Sequence, residues 1–299
     1  MNAFIFPGQG AQFVGMGKDF YDNYPLAREL FNQADDALGY KISHICFNGS
    51  EDDLKLTANT QPAILVVSVI VAKLLIERGI KPELAAGHSL GEYSALVVAG
   101  AIDFQDAVAL VHKRGQFMQE AVPVGEGAMA AIIGLDDTII SDICATVGNV
   151  QPVNFNCPGQ TVIAGLTLSV NVAVDKLKAA GAKKAVILPV SAPFHCWLMK
   201  PAAERLALEL DKITINDPAF PVAANFNGQL QTDAAAIKQN LVAQADNPVL
   251  WIQCVQALLN AGADNFVECG AKTLSAFNRR IDKKIRSLPV ENCESLNNL

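Results

Sequence analysis

Three features of the sequence predict an α/β protein with a largely parallel sheet and a smaller unit inserted into it. Apolar strands alternate with amphipathic helices, a Gly-x-Ser-x-Gly turn joins one such strand to a helix, and mid-chain the order changes to β-α-β-β-α-β. At 299 residues, 51% hydrophobic and 18% charged, the chain can bury a large core and has the composition of a compact protein rather than a disordered one.

The first strand spans residues 3–6 and stops at Pro7-Gly8-Gln9-Gly10. Helical periodicity follows over residues 18–38 and 60–78, then a short strand over 84–86. The stretch from Pro62 to Ile80 is the most apolar, but Lys73, Glu77 and Arg78 interrupt or flank it, so a buried helix is expected rather than a membrane span. Helices are expected from Leu90 to Ala99 and from Asp103 to Met118, with Asp103 as N-cap. The middle segment reads as strand 127–134, helix 136–147, strands 153–156 and 161–165 around the turn Cys157-Pro158-Gly159-Gln160, helix 167–180 and strand 184–190. That order is the ferredoxin-like unit. The expected division is therefore a small subdomain over 123–190 within a large one made of 1–122 and 191–299. Helices near 199–211, 232–244 and 248–261 and strands near 221–226 and 264–268 complete the large unit, and the polar tail 291–299 is expected to fray.

Composition excludes several classes of function. A formal charge of −7 makes nucleic acid an improbable partner. Seven scattered cysteines with no Cys-x-x-Cys pair argue against a disulfide framework and a zinc site and fit a reducing, cytoplasmic setting. No basic, apolar leader follows Met1. Gly8-Gln9-Gly10 fails as a dinucleotide fingerprint, because Phe13 occupies the third glycine position.

Gly87-His88-Ser89-Leu90-Gly91 has the context a nucleophile elbow requires, a strand before it and a helix after it. The alternative role for Ser89 is a simple helix cap. A serine hydroxyl needs a base, and only four histidines exist. His88 adjoins the serine, His112 lies within a helix, and His44 has no chemistry around it. His195, in the loop Ser191-Ala192-Pro193-Phe194-His195 after a strand, is the candidate. Cys196 is a rival nucleophile with no helix N-terminus to activate it. On the helix from Asp103, Arg114 falls on the apolar stripe of Ala107, Leu110, Val111 and Met118. A guanidinium there needs an anion, which either an internal acid or the carboxylate of a substrate could supply.

The segments PGQGAQ (7–12), TQPA (60–63), GHSLGEYSALVVAGAI (87–102), RGQFMQEAVP (114–123), GAMAAIIGL (127–135), PVNFNCPGQTVIAG (152–165) and PFHCWLMKPA (193–202) together resemble the bacterial malonyl-CoA:acyl carrier protein transacylases of fatty acid synthesis, collinearly to about residue 285. The resemblance implies an α/β-hydrolase-like large subdomain beside the ferredoxin-like one. It implies Ser89 as nucleophile and His195 as base, backbone N–H groups of Gln9 and Leu90 as oxyanion hole, and Arg114 as the holder of the malonyl carboxylate. Leu250, which stands where many members carry glutamine in Asn-Pro-Val-Gln-Trp, is implied to orient the histidine through its carbonyl. Phe194 resembles the malonyl-selecting form of related domains. Malonyl-CoA and acyl carrier protein are the implied partners, with no metal or redox cofactor, no membrane, and a monomeric state. Lys272, Arg279, Arg280, Lys283, Lys284 and Arg286 form a candidate docking patch for the acidic carrier. A thioesterase using the same pair, or a non-catalytic carrier-binding module, are the competing functions.

Overall fold

The computed structural model describes residues 1–190 and 192–299. Ser191, where the large unit was expected to resume, lies outside the described residues.

β1 (Asn2–Phe6) is followed by α1 (Lys18–Asn23), α2 (Pro25–Leu38), α3 (Ile42–Asn48), α4 (Glu51–Lys55) and α5 (Thr57–Glu77). The single helix expected over 18–38 is two, because Pro25 opens α2 and holds Tyr24 extended before it. α5 is long and apolar enough for a bilayer, yet its residues are buried around the helix, and it serves as the central core helix of the large unit. Pro62 within it cannot bond to the Ala58 carbonyl, which instead accepts from His112 Nδ1 at 2.8 Å.

β2 (Leu84–Gly87) leads into α6 (Leu90–Val98), then α7 (Phe104–Glu120). Asp103 caps α7 as expected, its Oδ1 accepting from the N–H groups of Gln105 and Asp106 at 2.8 and 3.3 Å. Next come β3 (Gly127–Ile133), α8 (Asp137–Val147), β4 (Val150–Cys157), β5 (Gln160–Leu166), α9 (Thr167–Ala179) and β6 (Lys184–Ile187). These four strands form an antiparallel sheet in the order β4-β5-β3-β6, the ferredoxin-like arrangement. Period-two alternation divides its faces: Ala130, Ile132 and Ile163 pack under α8 and α9, while Met129, Val153 and Val162 face the large unit's core.

A 3₁₀ turn (Trp197–Met199) precedes α10 (Lys200–Leu210), β7 (Val222–Ala223), β8 (Leu230–Gln231), α11 (Ala234–Asp246), α12 (Trp251–Asn260), β9 (Asn265–Cys269), α13 (Leu274–Ile281), β10 (Arg286–Val290) and α14 (Cys293–Asn297). The main sheet runs β10-β9-β1-β2-β7-β8, parallel except for the β7–β8 edge pair. The frayed tail is corrected: α14 has an Asn292–Ser295 capping box and buries Leu296, and Arg78 donates to the Leu296 carbonyl at 2.5 Å.

The chain lays β2 and β7 on one side of β1 and returns to lay β9 and β10 on the other. Ligands of parallel sheets bind outside the carboxyl ends of strands at such a reversal. Phe6 and Gly87 are paired there, so the loops leaving β1 and β2 start side by side. The junction is tight: a Cβ on Gly91 would lie 2.1 Å from the Phe6 carbonyl oxygen, and one on Gly8 would lie 2.4 Å from that of His88. Only glycine permits these approaches. Gly91→Ala is expected to push α6 off β1, lowering stability by roughly 2 kcal/mol or more in urea titration. An unchanged midpoint would show that the close approach is not needed.

Candidate active site

Ser89 occupies the turn between β2 and α6 with φ 52° and ψ −105°, a strained backbone for a residue bearing a side chain. Asn225 holds it there. Its Oδ1 accepts from the Ser89 N–H at 2.6 Å and its Nδ2 donates to the Gly87 carbonyl at 2.7 Å. The serine side chain makes no capping hydrogen bond to the helix it precedes. Its Oγ instead lies 2.7 Å from His195 Nε2 and 3.1 Å from Arg114 Nη2. The structure thus brings together three residues separated by up to 106 positions.

His195 also has a positive φ, 63°, and is buried. Its Nδ1 faces the Gln244 backbone carbonyl at 2.9 Å. A carbonyl can only accept, so Nδ1 carries the proton and Nε2 offers a lone pair to the serine hydroxyl. The expected orienting role of Leu250 is corrected by this contact. The Leu250 carbonyl accepts from the Cys254 N–H at the start of α12, while α11 ends its run against the histidine and supplies Gln244 instead. Burial, reinforced by the Arg114 cation, lowers the His195 pKa from 6.5 to about 3, so the imidazole is neutral at physiological pH.

The other histidines are engaged elsewhere. His88 lies 2.8 Å from Asn156 Oδ1 on β4, which ties the elbow to the small sheet. His112 bonds to Ala58, and His44 is exposed. Cys196 is buried with its thiol pushed up to about 12 by desolvation, which leaves little thiolate.

Arg114 is 1% exposed. Nη1 donates to Gln61 Oε1 and Nη2 to Gln244 Oε1, both at 2.8 Å, and the guanidinium sits 5.2 Å from the Tyr93 ring centroid. Among the described residues no carboxylate lies within ion-pair distance of it, and Nε has no partner. Of the two sources of a counter-charge open at the sequence level, a direct internal salt bridge is absent. Burial lowers the Arg114 pKa, though a guanidinium retains its proton.

These groups line a cavity of about 320 Å³ between the two sheets. Gln9 and Leu90 face it from the β1 loop and the start of α6, and among the described residues neither backbone N–H has a protein acceptor. Met118, Met129, Val162 and Phe194 give it an apolar wall, with Asn154 and Asn156 from β4 beyond them. Such a site can activate a hydroxyl, hold an anion beside it and exclude water.

Gln61, Gln244, Asn225 and Glu92 were not singled out from sequence. Gln61 has a detectable signal, since it is an amide directly before the apolar run that begins at Pro62 in α5. Gln244 has none, because the partners of its side chain lie more than 100 positions away and that of its carbonyl 49.

The acyl transferase domain model matches residues 3–297. The malonyl CoA-acyl carrier protein transacylase of Escherichia coli K12 is 51% identical over 284 residues, covering 93% of this chain and 92% of that protein. The Bacillus subtilis protein of the same name is 46% identical over 299 residues, covering 98% and 94%. Among solved structures, the malonyl CoA-acyl carrier protein transacylase of Coxiella burnetii superimposes with a TM-score of 0.97 at 43% identity, covering 99% of this chain and 96% of that one. A malonyl-transacylase in complex with a type II polyketide acyl-carrier protein gives 0.96 at 45% identity, covering 99% and 97%. With its elbow serine, its histidine and nearly its whole length accounted for by that match, the chain belongs to the acyl transferase domain family.

Proposed function

We propose that the protein transfers a malonyl group from coenzyme A to the phosphopantetheine thiol of acyl carrier protein, through an ester on Ser89. One observation carries the choice of acyl group: a buried guanidinium 3.1 Å from the serine hydroxyl, with no direct carboxylate partner of its own. A dicarboxylic acyl group supplies that partner, and the transacylase names of the relatives agree with it.

Ser89 Oγ attacks the thioester carbonyl as its proton passes to His195 Nε2. The Gln9 and Leu90 N–H groups stabilise the tetrahedral oxyanion, each contributing on the order of 3 kcal/mol. The C–S bond then breaks, and the coenzyme A thiolate takes the proton from His195, whose imidazolium is held meanwhile by the Gln244 carbonyl. The carrier thiol enters the same cavity, gives its proton to His195 and attacks the ester, and Ser89 leaves with that proton. Protein groups and the two thiols suffice for every step, with no metal or redox cofactor. Arg114 holds the far carboxylate throughout, and the apolar wall keeps water from the ester, which favours transfer over hydrolysis.

The exposed Arg279, Lys283, Lys284 and Arg286, on and after α13, are the proposed landing site for the acidic carrier. Arg280 differs from them, because its guanidinium donates to the Pro158 carbonyl and Gln160 and so fastens α13 to the β4–β5 turn. Lys272 is paired with Glu291. Seven free cysteines, six of them buried, support a cytoplasmic location.

Arg114→Ala lowers kcat/KM for malonyl-CoA roughly 10²–10³-fold and that for acetyl-CoA far less. Equal losses would remove the charge-recognition role. With the folded His195 pKa near 3, the acid limb of kcat/KM lies well below pH 6.5, and an ordinary imidazole limb at 6.5 would contradict the buried, neutral base. The unfolded chain takes up this proton first, so the stability this group confers is complete above pH 6.5 and declines as pH falls toward 3. Reversing the charge of Lys283 and Lys284 raises KM for the carrier while leaving formation of the malonyl ester from malonyl-CoA unchanged. No change in the carrier's KM would discard the landing site.

A further inference from the structure

Glu92, three residues beyond the elbow serine in the first turn of α6, has no accessible surface and does not line the cavity. Its Oε2 accepts from the Asn225 N–H at 3.0 Å and from Gln244 Nε2 at 2.7 Å, and its Oε1 accepts from Gln231 Nε2 at 3.0 Å. All three partners are donors, which is the environment of an ionised carboxylate rather than a protonated one. The Gln244 amide that donates to Glu92 presents its other end to Arg114, with Oε1 accepting from Nη2 at 2.8 Å. A buried cation and a buried anion are therefore separated by one amide.

We propose that Glu92 is the counter-ion of Arg114 at one remove, a positioning residue for the guanidinium. A direct salt bridge would neutralise Arg114 and occupy the donors that receive the acyl group. With no counter-ion, the cost of burying the cation would fall on the empty enzyme alone. Placing the anion behind Gln244 keeps the pair neutral overall and leaves the cavity side of Arg114 open. The same carboxylate holds the Asn225 backbone, whose side chain brackets Ser89, so the cation and the nucleophile are located from one point. Burial raises the Glu92 pKa, and the hydrogen bonds from Asn225, Gln244 and Gln231 and, to a smaller extent, the Arg114 charge oppose that rise. The proposal rests on the role of Arg114 given above for its substrate arm, but its stability arm does not.

Glu92→Gln tests charge with shape retained. A glutamine oxygen in the Oε2 position keeps Asn225 and Gln244. Its NH₂ faces Gln231, whose amide can turn over, because Gln231 Oε1 is bonded to Asn240 Nδ2 and that residue continues to the exposed Asn227. Melting of the full chain is followed for wild type, Glu92→Gln, Arg114→Met and the double variant, each with and without malonyl-CoA or acetyl-CoA. We expect Glu92→Gln to melt lower than wild type, malonyl-CoA but not acetyl-CoA to restore most of the loss, and KM for malonyl-CoA to fall roughly threefold or more. The double variant is expected to be more stable than Glu92→Gln alone, since it lacks the uncompensated cation. Additive losses in the double variant, or a loss that both thioesters leave equally unrestored, would reduce Glu92 to a structural residue. Should Glu92→Gln fail to fold, a folded double variant supports the pairing and an unfolded one overturns it. If malonyl-CoA does not modify the wild type, the proposed function fails, and the additivity of the two substitutions still decides the ion pairing.

Discussion

A guanidinium held in the core beside a serine hydroxyl is the constraint around which the site is organised. Taking Arg114 out of water costs several kcal/mol, and neutral acceptors return only part of it. Gln61 from α5 and Gln244 from α11 supply those acceptors, and the Tyr93 ring covers one face. Three helices from distant parts of the chain must therefore meet at one side chain. That requirement fixes where α7 sits against the elbow, and it leaves a positive site whose remaining capacity is for an anion.

Gln244 does most to join the parts. Its carbonyl sets the His195 tautomer, its Oε1 holds Arg114, and its Nε2 donates to the Ser89 carbonyl at 3.0 Å as well as to Glu92. The imidazole, the cation and the elbow backbone are thus referenced to one residue, which supports the positive φ values of Ser89 and His195. The small sheet contributes the opposite wall of the cavity, and His88–Asn156 and Arg280–Pro158 are hydrogen-bonded links between it and the large unit.

What could be foreseen from sequence was local. The elbow was visible because glycines, serine and the strand-to-helix change fall within a few residues, and the Asp103 cap for the same reason. Arg114 was visible because helical periodicity put a charge on an apolar stripe. The ferredoxin-like order was visible because its strands are short and turn residues separate them. The small helices α3, α4 and α14 were missed because so few residues carry little periodicity, and α14 is set by its capping box and by Leu296 reaching the core. Leu250 follows only from its position in a resembling motif. The contact is made by a backbone carbonyl, which every residue type possesses, so only the packing of α11 against the His195 loop could identify Gln244. Glu92 lies inside the elbow segment 87–102, but its partners come from 133 to 152 positions away.

On the proposed function, the hydroxyl beside Arg114 carries the acyl group covalently between the two thiols. Intact-mass measurement after brief exposure to malonyl-CoA, followed by peptide mapping, tests it most directly. A single malonyl adduct on Ser89 is expected, one that a carrier thiol removes and that Ser89→Ala abolishes. Transfer that proceeds with no adduct, or with the adduct on another residue such as Cys196, would contradict it.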